Sequence, residues 1–116
     1  MVVYVIEPPG WAGLSYSPPV TNLTDVFRAL KEEAVKNLNK LQSKMIPEHL
    51  RYRLLTVEGK PAEEIVKLAH KEAAGLIVIA THGYSGFHRF VFGSVTERVV
   101  RTSSCPVLTV RPASTE

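Results

Sequence analysis

Leu76-Ile77-Val78-Ile79-Ala80, continued by Thr81-His82-Gly83, nine further residues and then Gly93-Ser94-Val95-Thr96-Glu97, is the stretch that decides the fold. The unbroken apolar run reads as a strand covered on both faces. Glycines end it, and Val95 to Thr102 has the spacing of a helix. A strand, a glycine loop and a helix start, in that order, build a phosphate cradle. The first amides of a helix have no partner within it, and they sit at the positive end of its dipole. Glycine lets a backbone come close to a phosphate and reach φ > 0.

Ser94 and Glu97 make an S-x-x-E capping box, so Ser94 is the expected N-cap. Val95, Thr96 and Glu97 would then present free amides, and the Ser94 and Thr96 hydroxyls would donate to phosphate oxygens. A capping box alone also serves just to start a helix. Gly83 and Gly86 tip the balance toward phosphate, because two glycines after a buried strand exceed what one turn requires. His82 offers either a donor to phosphate or a structural hydrogen bond. Arg89 and Arg98 add positive charge nearby, or a solvated surface. No G-x-x-x-x-G-K-[ST], G-x-G-x-x-G or G-x-S-x-G occurs, so the P-loop, the dinucleotide fingerprint and the nucleophile elbow are excluded. His49, His70, His82 and His88 have no metal-ligand spacing and no cysteine partners.

Outward from this stretch, the elements alternate. Val2 to Ile6 is a β-branched strand ended by Glu7-Pro8-Pro9-Gly10. Trp11 to Val20 lacks periodicity and reads as a loop, with Trp11, Leu14 and Tyr16 available to cover a ligand or to pack on the surface. From the N-cap candidate Asn22, a helix carries Leu23, Val26, Phe27, Leu30, Ala34, Leu38, Leu41 and Met45 on one face, and Pro47 closes it. Leu50 to Val57 is a second strand. Pro61 starts a helix that runs to Gly75, and Pro106 to Val110 is the last strand. The order predicts an α/β fold: an open, mostly parallel sheet of four strands with helices on both faces and ligands at the C-terminal strand ends.

A chain of 116 residues, 45% apolar and 22% charged, suits one soluble globular domain with one core. No apolar run reaches the roughly 18 residues that span a bilayer, and Met1 lacks the basic start of a secretory signal, so a cytoplasmic protein without membrane contact is expected. The lone Cys105, before Pro106, reads as a small hydrophobe rather than a nucleophile. The net charge of +3 comes from basic residues spread along the chain and mixed with acidic ones, which gives nucleic acid no concentrated face.

Together, Glu58-Gly59-Lys60-Pro61-Ala62, Leu76 to Gly83, Gly93-Ser94-Val95-Thr96-Glu97-Arg98-Val99 and Cys105-Pro106-Val107-Leu108 resemble the universal stress protein family over nearly the whole chain. ATP-binding members of that family carry G-2x-G-9x-G-[ST]; here the pattern is A-2x-G-9x-G-S, with Ala80 at the first glycine and Tyr84 where many members have a basic residue. The resemblance implies a Rossmann-like, adenine nucleotide alpha hydrolase-like fold. It also implies ATP, with Mg as its accompanying ion, bound by Ala80, His82, Gly83, Gly93, Ser94, Val95 and Thr96, with Val5 beside the adenine. It further implies a homodimer formed through Val107, Leu108, Thr109 and Val110, paired antiparallel across a two-fold axis.

The family pattern also places a first strand, an acidic nucleotide contact and a first helix before the strand at 2–6, and none of them is in this sequence. That strand is central in the family's order 3-2-1-4-5. Its loss would leave backbone groups unpaired at the middle of the sheet. Three arrangements would compensate: a shortened chain or a start placed too late, pairing with another copy, or closure of the strands at 2–6 and 76–80 as neighbours, with closure or pairing expected in the folded chain. The leading expectation is an ATP-binding stress-response regulator, weakly or non-hydrolysing, with only part of the adenine and ribose site. The alternative is a homodimeric interaction module without nucleotide. An adenylate-transferring enzyme ranks last, since no acid, base or nucleophile stands beside the loop.

Overall fold

The computed structural model describes residues 1–7, 23–81 and 92–111. Seven elements follow one another: β1 (Val2–Ile6), α1 (Leu23–Met45), β2 (Leu54–Glu58), α2 (Pro61–Lys71), β3 (Ile77–Ala80), α3 (Ser94–Thr102) and β4 (Val107–Val110). The α/β class with open parallel sheets is as the alternation predicts. The loop at 11–20 and the N-cap candidate Asn22 lie outside the described residues. The chain divides into two compact units, Met1–Pro61 and Ala62–Glu116.

In the first unit β1 and β2 pair in parallel, Val2 opposite Leu54 through Ile6 opposite Glu58. The Val2 N–H on the Arg53 carbonyl (2.8 Å) and the Gly59 N–H on the Ile6 carbonyl (3.0 Å) extend the ladder at its two ends. Strand β2 starts at Leu54 rather than Leu50, because the Leu50 N–H is already engaged in a turn with the Pro47 carbonyl (3.0 Å). Gly59 is buried with φ 147°, a conformation open essentially to glycine alone, and it turns β2 into α2 two residues later. Helix α1 packs on both strands, and Ile6, Ala34 and Leu38 are the buried apolar residues of this unit. Asp25 in its first turn and Lys44 in its last complement the helix dipole.

In the second unit β3 and β4 pair in parallel, Ile77 opposite Val107 through Ala80 opposite Val110. Ala62 and Ala69 of α2, Ile77 of β3 and the fully buried Val99 of α3 form the core, with Ile65, Val66, Ile79, Val95, Cys105 and Val107 packed on it. Both helices of this unit therefore contribute to the core on the Ile77 face. The opposite face, carrying Val78 (59% exposed), Leu108 and Val110, is open, so β3 is not covered on both faces as its apolar run predicts.

One further expectation is corrected here. Helix α2 ends at Lys71, not Gly75: the Ala74 N–H reaches the Ala69 carbonyl (2.9 Å), the Ala73 N–H reaches the His70 carbonyl (3.1 Å), and Ala73 takes φ 49°. That is a Schellman end with alanine in the left-handed position. The ladders run within two two-stranded sheets, one in each unit. Each strand pairs with the one that its own helical crossover delivers, β1 with β2 through α1 and β3 with β4 through α3.

Candidate functional site

The candidate site is the junction of β3 with the start of α3, all of it within the second unit. Parallel pairing ends with the Thr81 N–H on the Val110 carbonyl (2.9 Å). The Thr81 carbonyl then accepts the Gly93 N–H at 2.7 Å. The exit and the return of the intervening segment are thus pinned together, and residues 82–91, with His82, Gly83, Tyr84, Gly86 and Arg89, lie outside the described residues.

Helix α3 opens one residue earlier than the capping box implies. The Gly93 carbonyl accepts the first helical bond from the Glu97 N–H (2.9 Å), which makes Gly93 the N-cap, and no side chain caps this end. Ser94 is already inside the helix, so its hydroxyl makes no reciprocal box with Glu97, whose carboxylate lies 3.5 Å from Arg101 Nη1. The amides without a helical acceptor shift accordingly, from residues 95–97 to Ser94, Val95 and Thr96.

Thr96 differs from its expected role as well. Its side chain is 4% exposed, and Oγ1 donates to the Ala80 carbonyl at 2.7 Å. The hydroxyl expected to face a phosphate instead ties the start of the helix to the end of the strand. This leaves the amides of Ser94, Val95 and Thr96 and the exposed Ser94 side chain as the donors at this end. Gly93 has φ −58° and ψ 151°, an extended conformation that any residue adopts. Its value to a site is therefore the space left by the absent side chain, not backbone freedom. Arg98 does not aim a free charge at this end, because Nη2 lies 3.3 Å from Glu63 Oε1 on α2.

Ala80, Gly93, Ser94, Val95 and Thr96 are thus brought together, whereas Val5 sits in β1 of the other unit. Val107, Leu108, Thr109 and Val110 form β4, which among the described residues has a strand neighbour on one side only. Thr81, through its main chain, and Glu63, through Arg98, were missed by the sequence reading. Thr81 follows the last residue of the apolar run directly, and that position was the available signal. Cys105 packs against the core as expected of a small hydrophobe, with its N–H on Ser103 Oγ at 3.2 Å. Chemically, three convergent amides and a hydroxyl can hold an anion. Among the described residues no group of acidic, histidine or cysteine side chains is placed to hold a metal ion. No helix there is long and apolar enough to cross a membrane.

A family model described as the universal stress protein family matches residues 1–111. Universal stress protein MJ0531 of Methanocaldococcus jannaschii is 35% identical over 114 residues, covering 98% of this chain and 65% of that protein. Universal stress protein YxiE of Bacillus subtilis is 30% identical over 107 residues, covering 92% of this chain and 72% of that protein. The chain thus spans about two thirds of the length of these curated relatives. The solved structure of hypothetical protein MJ0577 superposes with a TM-score of 0.78 at 26% identity, over 97% of this chain and 75% of that one.

Proposed function

Since the chain belongs to the universal stress protein family, we propose that it is a stress-response regulator that binds ATP through the β3–α3 junction, hydrolysing it slowly or not at all. The observation that carries this reading is the start of α3. The amides of Ser94, Val95 and Thr96 point away from the helix next to a glycine whose ordinary φ gives no conformational reason for it to be glycine. The Thr96 hydroxyl and the Gly93 amide hold this start against β3. These residues supply the phosphate half of a site, so binding is weak, with Mg accompanying the triphosphate. A cytoplasmic location fits such a ligand.

Thermal unfolding with and without millimolar ATP tests the reading. Ligand at about a hundredfold above Kd adds roughly 2.7 kcal/mol of stability, and weak binding gives a smaller, concentration-dependent rise in Tm. Gly93→Val, which the observed φ and ψ accommodate, places a branched side chain beside the amides and abolishes the rise. An undiminished rise in that variant removes the site assignment.

The second reading, a homodimeric interaction module, is favoured by β4, whose Leu108 is 51% exposed at the open edge of a two-stranded sheet. An apolar edge strand recruits another strand unless it is blocked. Leu108→Lys is expected to convert a dimer to a monomer in sedimentation, while unchanged mass would exclude β4 as the interface.

A further inference from the structure

Arg98 stands one helical turn beyond Ser94 on the same face of α3, a spacing that puts Cβ atoms about 5–6 Å apart. Long helical side chains lean back toward the N-terminus, so an arginine here can cover the turn that carries the amides of Ser94, Val95 and Thr96. It is instead drawn sideways to α2, where Nη2 donates to Glu63 Oε1 at 3.3 Å. That is its one side-chain contact among the described residues, and most of the guanidinium donors stay open to another acceptor.

The pair is a weak restraint. Its side chains are 55% and 40% exposed, and it rests on one long contact rather than a bidentate fork. Exposed pairs of this kind shift an equilibrium by no more than about fivefold. Glu63 also has other support. It lies in the first turn of α2, where the helix dipole favours a carboxylate. It adds as well to the influences that hold the Lys67 ammonium above its ordinary pKa, after the hydrogen bond and the charge of Glu64. Departure of Arg98 therefore leaves Glu63 compensated. The next cation along α3, Arg101, is nearly a turn farther from the amides and lies 3.5 Å from Glu97.

We propose that Arg98 is a phosphate-binding residue held in reserve by Glu63: a phosphate chain on the amides of Ser94, Val95 and Thr96 draws the guanidinium off α2 and onto its own oxygens. The inference rests on the anion reading of the β3–α3 junction and adds a competition to it. Glu63 lowers the affinity of the free protein, and a ligand must outcompete a carboxylate to recruit Arg98. The arrangement therefore favours a polyphosphate, with its higher charge, over a monophosphate.

NMR titration of the isotope-labelled full chain with inorganic tripolyphosphate, followed at the amides of Ser94, Val95 and Thr96, reads the site separately from Arg98. E63Q is expected to tighten binding about three- to fivefold, since the competitor is gone. R98Q is expected to weaken it about tenfold, the loss of one charge-assisted hydrogen bond. E63Q/R98Q binds as R98Q does, because Glu63 acts only through Arg98. Unchanged resonances outside α2 and α3 confirm that each variant keeps the fold. Tightening by E63Q that persists in E63Q/R98Q means that the carboxylate acts by repulsion alone and overturns the proposal. Binding by R98Q equal to that of the parent overturns it too, and in both cases the shifts at residues 94–96 leave the site standing. If tripolyphosphate moves none of these amides in the parent or in E63Q, the site fails and the proposal with it.

Discussion

Thr96→Val replaces the Thr96 hydroxyl with a methyl group of nearly the same shape, so the test isolates the bond from Oγ1 to the Ala80 carbonyl at 2.7 Å. The side chain is buried, so water does not take over the lost partner. A neutral hydrogen bond contributes about 0.5–1.5 kcal/mol net, and a buried acceptor left short of a donor costs about 1–3 kcal/mol. The Ala80 carbonyl lies at the end of a strand, where partial relaxation is open to it, so a loss of about 1–2 kcal/mol is expected. For a domain of this size that corresponds to a fall in Tm of roughly 4–8 °C. Thr96→Ser keeps the hydroxyl and removes one methyl group, costing about 0.8 kcal/mol through lost apolar burial. Chemical denaturation with constant m, followed by circular dichroism, measures both variants. If Thr96→Val is as stable as the parent, or less damaging than Thr96→Ser, the hydroxyl does not tie α3 to β3 and the geometry of the junction needs another cause.

Two further outcomes rest on local structure. Ala73→Gly removes the strain of alanine at φ 49°, worth about 1 kcal/mol of stability after the entropy cost of glycine is set against it, and a rise in the denaturation midpoint measures it. The Glu64 carboxylate, 2.7 Å from Lys67 Nζ, holds the ammonium above its ordinary pKa by a hydrogen bond and by charge. Because the folded value is raised, this contribution is present in full below the unfolded pKa of about 10.4 and is lost as pH rises through the folded value. Lys67→Gln should therefore differ from the parent at neutral pH and converge with it in strongly alkaline solution, as urea titrations at several pH values will measure.

The order of elements was legible because each has its own apolar period: β-branched runs for β1 and β3, steps of three and four for α1 and α2. What was not legible depends on atoms distant in sequence or on a choice between near-equal geometries. The S-x-x-E pattern at Ser94 and Glu97 is compatible with a helix capped at Ser94 or at the residue before it, and the bond from the Glu97 N–H to the Gly93 carbonyl decided it. Gly75 was the natural left-handed residue, yet packing of Ala74 against the core that includes Ala69 placed the turn at Ala73. The inward turn of Thr96 required a carbonyl sixteen residues away. The uncovered Val78 face could not be anticipated from an apolar run that reads the same whether one face is packed or two.

The central claim is that the junction supplies a phosphate site. Comparing ATP, inorganic tripolyphosphate and adenosine in the same thermal-unfolding series tests it most directly. The account predicts that ATP and tripolyphosphate raise Tm at similar millimolar concentrations, within about tenfold of one another, and that adenosine does not. Stabilisation by adenosine as strong as that by ATP, with none from tripolyphosphate, would contradict it, since binding would then rest on the base and not on the amides of Ser94, Val95 and Thr96.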